Sequence, residues 1–113
     1  MAETTVDTAK PTEKTDTGVD LPTLKVGTVL NVQTRNSLYR VVVLDGKRRL
    51  VAVQGGNVFS HEVVTRFHGS SVGGSALKIG WVGVGSCLEF AAGPQLIVTS
   101  PVRSIQIETP HAA

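Results

Sequence analysis

The chain contains 113 residues, of which 41% are hydrophobic and 4% aromatic, with a formal net charge of +2 at pH 7 and a single cysteine. One cysteine excludes an intrachain disulfide, and no apolar run approaches the roughly twenty residues of a membrane span. This length and this valine- and glycine-rich composition are typical of one all-β domain. The first ten residues hold no apolar run of the kind that a secretory signal needs, so we expect a soluble, cytoplasmic protein.

The N-terminal segment is polar and acidic. Before Lys25, five acidic and two basic side chains give a net charge of −3, whereas from Lys25 onward nine basic and four acidic side chains give +5. Polar segments of this kind bury too little apolar surface to offset the entropy lost on ordering. We therefore predict a disordered acidic tail over residues 1–22, a folded domain over 23–108 and a frayed C-terminus over 109–113.

The segment Leu38–Val53 predicts a β-hairpin, around which we organise the rest of the fold. Asp45-Gly46 separates two runs of β-branched residues, and this dipeptide is favoured where a type I′ turn requires positive φ. Such a turn would pair Leu44 with Lys47. The opposite faces of the first strand are both mostly apolar, which predicts that it is covered on both sides. One of these faces would carry Tyr39, Val41 and Val43.

Val58–His68 fits two periodicities. Phe59, Val63 and Phe67 recur every four residues as on a helix, yet they also alternate with more polar residues as on a strand. The β-branched content of the segment favours the strand. On a strand His61 would point inward with the phenylalanines, which predicts a structural histidine and not a metal ligand.

Further short strands are predicted on both sides of these segments. Lys25–Thr34 alternates as a half-buried strand does, Ala76–Ile79 resumes the sheet, and a last hairpin turns at Gly93-Pro94. Val102–Ile107 follows Pro101, which cannot donate to a ladder, so this strand is predicted to lie at an edge or to begin after a bulge. In total, about seven or eight short strands joined by tight turns predict an all-β fold, a single small antiparallel barrel or sandwich.

The residues that could support catalysis or bind a metal do not converge in this pattern. Side chains alternate along a strand, so Ser60-His61-Glu62 cannot form a triad among themselves. The pair Ser75 and Lys78 lacks the helical turn that would bring its members together. Cys87 lies in an apolar run, which is typical of an inert thiol, and the three histidines share no face at ligand spacing. We predict no catalytic residue, no metal and no cofactor.

The predicted topology collects positive charge at one end. If the strands run up and down in chain order, the Asp45-Gly46 turn and a flexible Gly/Ser loop at Gly69–Ser75 lie at the same end, because two chain reversals separate them. Cations beside the backbone N–H groups of such a loop would suit a phosphate or another anion. The candidate anion-binding residues are Lys47, Arg48, Arg49, Arg66, His68, Ser70, Ser71 and Lys78.

Two kinds of binding function follow from these features. The first, which we favour, is a non-enzymatic interaction module that self-associates or docks on a protein partner through an exposed sheet edge, with Val102–Ile107 as the edge to examine. The second is an anion-binding module for RNA, DNA or a phosphorylated small ligand such as a nucleotide, at Lys47–Arg49. An enzyme is the third alternative, and no membrane partner is expected.

Overall fold

The computed structural model describes residues 12–72 and 76–110, and over these ranges the protein is all-β with antiparallel strands, which confirms the predicted class. The described residues form eleven strands where the sequence predicts seven or eight, because residues 12–20 add two and Trp81–Gly83 adds another. A 3-10 helix (Leu21–Thr23) follows the second strand. The strands are β1 (Thr12–Thr15), β2 (Gly18–Asp20), β3 (Val29–Thr34), β4 (Leu38–Asp45), β5 (Leu50–Gly55), β6 (Phe59–Val72), β7 (Ala76–Ile79), β8 (Trp81–Gly83), β9 (Cys87–Ala92), β10 (Gln95–Val98) and β11 (Val102–Glu108).

The prediction of a disordered tail is wrong for residues 12–22. Strand β1 pairs antiparallel with β11, from Thr12 opposite Glu108 to Thr15 opposite Ile105, and β2 pairs with β8. The side chain of Leu21 is fully buried and anchors this segment to the core. A polar segment can pack here because the ladder with β11 supplies partners for its backbone groups. Residues 1–11 of the predicted tail lie outside the described residues.

The predicted hairpin is confirmed as β4 and β5, but its turn is wrong. Asp45 pairs with Leu50, so residues 46–49 form a four-residue turn in place of a two-residue Asp-Gly turn. Within the turn Arg49 is the residue with positive φ, at 57°, and its N–H donates to the carbonyl of Gly46 over 3.1 Å. Neither Asp45 nor Gly46 takes the positive φ on which the type I′ prediction depends.

Gly46 is required by a close approach and not by its φ. A Cβ atom at this position would lie 2.9 Å from the carbonyl oxygens of both Leu21 and Leu24. The turn between β4 and β5 therefore packs directly on the backbone of the 3-10 helix, where no other residue fits without a shift.

Strand β4 is covered on one face only. Tyr39, Val41 and Val43 are buried as predicted, whereas Leu38 and Leu44 on the other face are exposed. The prediction that both faces are covered is wrong, because the core packs on the inner face of the sheet.

The strand over Val58–His68 is confirmed and extends to Val72. Its first part pairs with β5 as far as Arg66, where β6 also meets Ala91 of β9, and its last part runs between β9 and β7. The predicted loop at Gly69–Ser75 is therefore wrong for Gly69–Val72, which belong to β6, and residues 73–75 lie outside the described residues. Hydrogen bonds on both sides hold this segment in the sheet.

His61 is exposed and does not point inward as predicted. The register shifts beside it, since Val53 pairs with Val63 while Gly55 pairs with Phe59. Such an irregularity interrupts the alternation that the prediction assumes.

One path of hydrogen-bonded strands runs β1-β11-β3-β4-β5-β6-β9-β10, with β7 beside β6 and a separate pair β2-β8. These pairings of the described residues do not form a closed barrel. The core includes an aromatic group in which the Phe90 ring lies 5.4 Å from that of Phe67 and 5.8 Å from that of Phe59. Strand β11 lies between β1 and β3, and β1 pairs with its residues 105–108, so the prediction of an edge strand is wrong. The alternative prediction, a bulge after Pro101, is confirmed by the register shift between Val102 and Ser104.

Candidate functional site

The predicted basic end is partly assembled around the β4–β5 turn. Lys47 and Arg48 are exposed at its tip, and the Arg48 side chain lies 3.8 Å from the carboxylate of Asp45. Arg66 is exposed one strand away, opposite Leu50 at the start of β5. All three side chains face solvent.

Arg49 stabilises the fold at this end. Its Nε donates to the carbonyl of Phe67 over 3.1 Å, and the N–H of Phe67 donates in return to the carbonyl of Arg49 over 2.8 Å. The side chain also passes close to Gly80, the turn between β7 and β8. Because its Nε binds the backbone, this guanidinium is fixed against the sheet.

The two serines of the predicted site are buried. The Ser70 hydroxyl donates to the carbonyl of Trp81 and accepts from the N–H of Gly83 over 3.0 Å, so it joins β6 to β8. Ser71 is 7% exposed. The Ser70 hydroxyl is therefore occupied by backbone partners, and little of the Ser71 side chain is exposed.

Lys78 and His68 each make a contact of their own. The Lys78 ammonium lies 4.2 Å from the centre of the Trp81 ring, a cation–π contact. His68 is half-buried at a register shift in β6, and its carbonyl accepts from the N–H of Gly80. The structure thus offers cations at this end but no exposed hydroxyls from β6, and anion binding there stays a prediction.

The edge strand β10 is a second candidate site, which the sequence reasoning missed. It ends the strand path, with β9 as its single partner strand among the described residues. Backbone groups of an antiparallel strand alternate between its two neighbours. Since the N–H of Thr99 donates to the carbonyl of Leu88 in β9, those of Ile97 and Gln95 also point to β9. The N–H and C=O groups of Leu96 and Val98 therefore point to the open edge.

The same two residues also expose their side chains. Leu96 is 55% and Val98 is 52% exposed, while Ile97 between them packs partly against the core. Opposite residues of a ladder share a face, so Leu96 and Val98 lie on the outer face with Ala91 and Glu89 of β9. Leu96 and Val98 therefore each combine an exposed apolar side chain with backbone N–H and C=O groups that have no strand partner among the described residues.

The other edges of the sheet differ from β10 in charge. Strand β1 carries Glu13 and Lys14, charges that discourage the pairing of another strand. Strand β7 carries Lys78 between the exposed side chains of Leu77 and Ile79. Strand β10, with the sequence Gln-Leu-Ile-Val, carries no charged residue.

The outer face near β10 is a shallow depression with large apolar side chains at its borders. Strands β7 and β10 lie on either side of β6 and β9, which contribute mostly small residues. Aligned across the four strands, the outer residues form three rows: Ile79, Gly69, Glu89 and Val98; Leu77, Ser71 and Cys87; Arg66, Ala91 and Leu96. Only Arg66 and Glu89 carry charge in these rows, so the face favours an apolar partner.

The described residues contain no group of three side chains arranged to hold a metal ion. Ser60 Oγ lies 3.3 Å from His61 Nδ1, but Glu62 instead lies 3.6 Å from Arg40. A cleft of about 380 Å³ is lined by Thr23, Leu24, Lys25, Thr28, Thr109 and Pro110. Among these described lining residues, Lys25 is the one with a charged side chain.

Over the described ranges there is no helix with the length and apolar character needed to cross a membrane. Comparisons of the chain with family models, with curated proteins and with solved structures give no match.

Proposed function

We propose that this protein is a non-enzymatic interaction module that binds an uncharged extended segment by adding it as a strand to the open edge of β10. The observation that supports this proposal is the coincidence at Leu96 and Val98 of outward backbone groups and exposed apolar side chains. In strand addition the main-chain hydrogen bonds supply affinity, and alternate side chains supply specificity.

We expect the added segment to be uncharged because of the side chains on β10 and β9 that it would contact. Strand β10 has no charged side chain, and its neighbours across the ladder are Ala92, Ala91, Phe90 and Glu89. A charged side chain beside Leu96 or Val98 would lose hydration without an ion pair in return, except near Glu89. Alternating apolar residues in the added strand would instead extend the outer apolar face.

A peptide titration tests this function. The probe is a fluorescently labelled peptide that copies residues 93–100, and the matched control peptide has lysine in place of its leucine and valine. We expect the first peptide to bind and the second to bind at least roughly tenfold more weakly, which corresponds to a loss of about 1.4 kcal/mol in binding free energy. Fluorescence anisotropy gives both affinities.

Two variants at Leu96 separate the backbone from the side chain. Leu96→Ala removes the side chain and keeps the edge N–H, whereas Leu96→Pro also removes that N–H without removing a hydrogen bond to β9. Peptide binding should fall further in Leu96→Pro than in Leu96→Ala, with the circular-dichroism spectrum of both unchanged. Equal binding by the two variants, or no binding of the peptide to the natural chain, would overturn the proposal.

A further inference from the structure

We infer that the segment added to β10 is β10 of a second copy of this chain, antiparallel to the first, with Ile97 of both copies at the two-fold axis. This inference rests on the proposed strand addition, and it names the partner and the register. The two copies would then form one continuous sheet across the axis.

The absence of charge on β10 favours its own copy as the partner. In a two-fold symmetric contact the same edge of both copies meets, so a charged residue near the axis would lie close to its own equivalent in the second copy. The strand Gln95–Val98 brings no like charges together in this way. The β7 edge is less suited, since the axis would place Lys78 near Lys78 of the second copy.

The direction of the backbone groups determines the register. Residues that exchange hydrogen bonds must both point to the open edge, which Leu96 and Val98 do and Gln95 and Ile97 do not. Pairing Leu96 with Val98 of the second copy uses both outward residues of each strand. This register places Ile97 opposite Ile97 of the second copy, in a pair that exchanges no hydrogen bond.

The neighbouring registers use fewer of these groups. Pairing Leu96 with itself sets Val98 opposite Pro94, which has no N–H to donate. Pairing Val98 with itself sets Leu96 opposite Ser100, which lies beyond the end of β10. The register centred on Ile97 is thus the one that pairs both outward residues within the strand.

This geometry also covers apolar surface. The exposed side chain of Leu96 would lie beside that of Val98 of the second copy on the outer face, and the half-buried Ile97 would meet its equivalent on the inner face. Leu96 and Val98 of the two copies would together form a patch of four apolar side chains on the outer face, and the two Ile97 side chains would form a pair on the inner face. The contact is small, so we expect a dimer that depends on concentration.

Disulfide trapping tests the register. In a Cys87→Ala background, which removes the natural thiol, Ile97→Cys would place two Cα atoms about 4.5 Å apart across the axis, within the range that a disulfide spans. The control is Leu38→Cys, because Leu38 is 57% exposed but lies on β4, outside this edge. We expect Ile97→Cys to form covalent dimers at least roughly tenfold faster than the control on mild oxidation, measured on non-reducing gels. Equal rates would overturn the inference.

A charge-pair experiment gives a second test that does not need a half-buried cysteine. Leu96→Glu alone should weaken the dimer, and the double variant Leu96→Glu with Val98→Lys should restore it by roughly fivefold, since the register sets these two positions opposite each other. Leu38→Glu, at a side chain of equal exposure, should leave the dimer unchanged. Sedimentation velocity at about 1 μM to about 1 mM gives the dimer affinities.

The outcomes separate this inference from the proposed function. A natural chain that stays monomeric up to about 1 mM but still binds the residue 93–100 peptide would overturn the self-pairing and leave strand addition standing. A chain that neither dimerises nor binds the peptide would overturn both. A dimer that Leu96→Glu does not weaken would place the contact elsewhere and overturn the inference.

Discussion

Two residues show how single positions determine this fold through contacts that the sequence pattern does not reveal. Gly46 packs on the carbonyl groups of Leu21 and Leu24, and Thr34 joins two turns that are far apart in the chain. Both residues belong to common turn and strand patterns. The contacts of Gly46 with Leu21 and Leu24, and that of Thr34 with Ser100, join residues more than twenty positions apart in the sequence.

Substitution of Gly46 should destabilise the protein by steric contact. Gly46→Ala places a Cβ atom 2.9 Å from two backbone carbonyl oxygens, which cannot move independently of the chain. We expect a loss of about 2 kcal/mol in the free energy of unfolding, measured by urea denaturation. Gly93→Ala is the control, because Gly93 has a φ of 62° with open space around it and should lose only about 1 kcal/mol from backbone strain. A smaller loss at Gly46 than at Gly93 would contradict this account.

Removal of the Thr34 hydroxyl should also destabilise the fold. Thr34 is 1% exposed, and its Oγ1 accepts from the N–H of Ser37 over 3.0 Å and from the hydroxyl of Ser100 over 2.9 Å. Thr34→Val keeps the shape of the side chain but leaves these donors without their acceptor. We expect a loss of about 2 kcal/mol in unfolding free energy. Thr23→Val, at an exposed threonine that donates to the Asp20 carbonyl, should change stability by less than about 0.5 kcal/mol. Similar losses in the two variants would show that burial of the hydroxyl is unimportant.

At the level of elements, the edges of the sheet differ in how they are protected. The short strand β1 covers β11 along four residue pairs and carries the exposed side chains of Glu13 and Lys14. Among the described residues no strand covers the outer edge of β10, and β10 carries no charged side chain. The sequence predicts an edge at Val102–Ile107 because Pro101 cannot donate to a ladder. The segment that covers part of this strand, Thr12–Thr15, is polar and gives no strand signal of its own.

Removal of β1 should create a new exposed edge. A chain that starts at residue 17 lacks β1 and leaves the backbone groups of Ile105 and Ile107 in β11 without their partners. We expect this chain to form assemblies larger than those of a chain that starts at residue 12, because an uncovered apolar strand invites another strand to pair. Light scattering after size exclusion measures the difference. Equal masses for the two chains would show that β1 does not protect the sheet.

For the whole molecule, the class of fold could be predicted from the sequence and the site could not. Alternating valines and turn residues correctly indicated β3, β4, β5 and the β9–β10 hairpin at Gly93-Pro94. Strand order depends on pairings between distant segments, which periodicity does not encode. The open edge at Leu96 and Val98 follows from that order alone. The predicted basic end depends on the same kind of pairing, because Ser70 belongs to a strand through its ladder pairs with Lys78 and Leu88.

The long strand β6 has a consequence for how the molecule unfolds. Its first part belongs to the ladder with β5, and its last part to the ladders with β9 and β7, with Arg66 common to both. If the ladder with β5 opens locally, the β6 backbone loses hydrogen-bond partners that also help to hold β6 in its ladders with β9 and β7, and the reverse is also true. We therefore expect the two parts of the sheet to lose their structure together, in one cooperative unfolding transition, although the strand path is open.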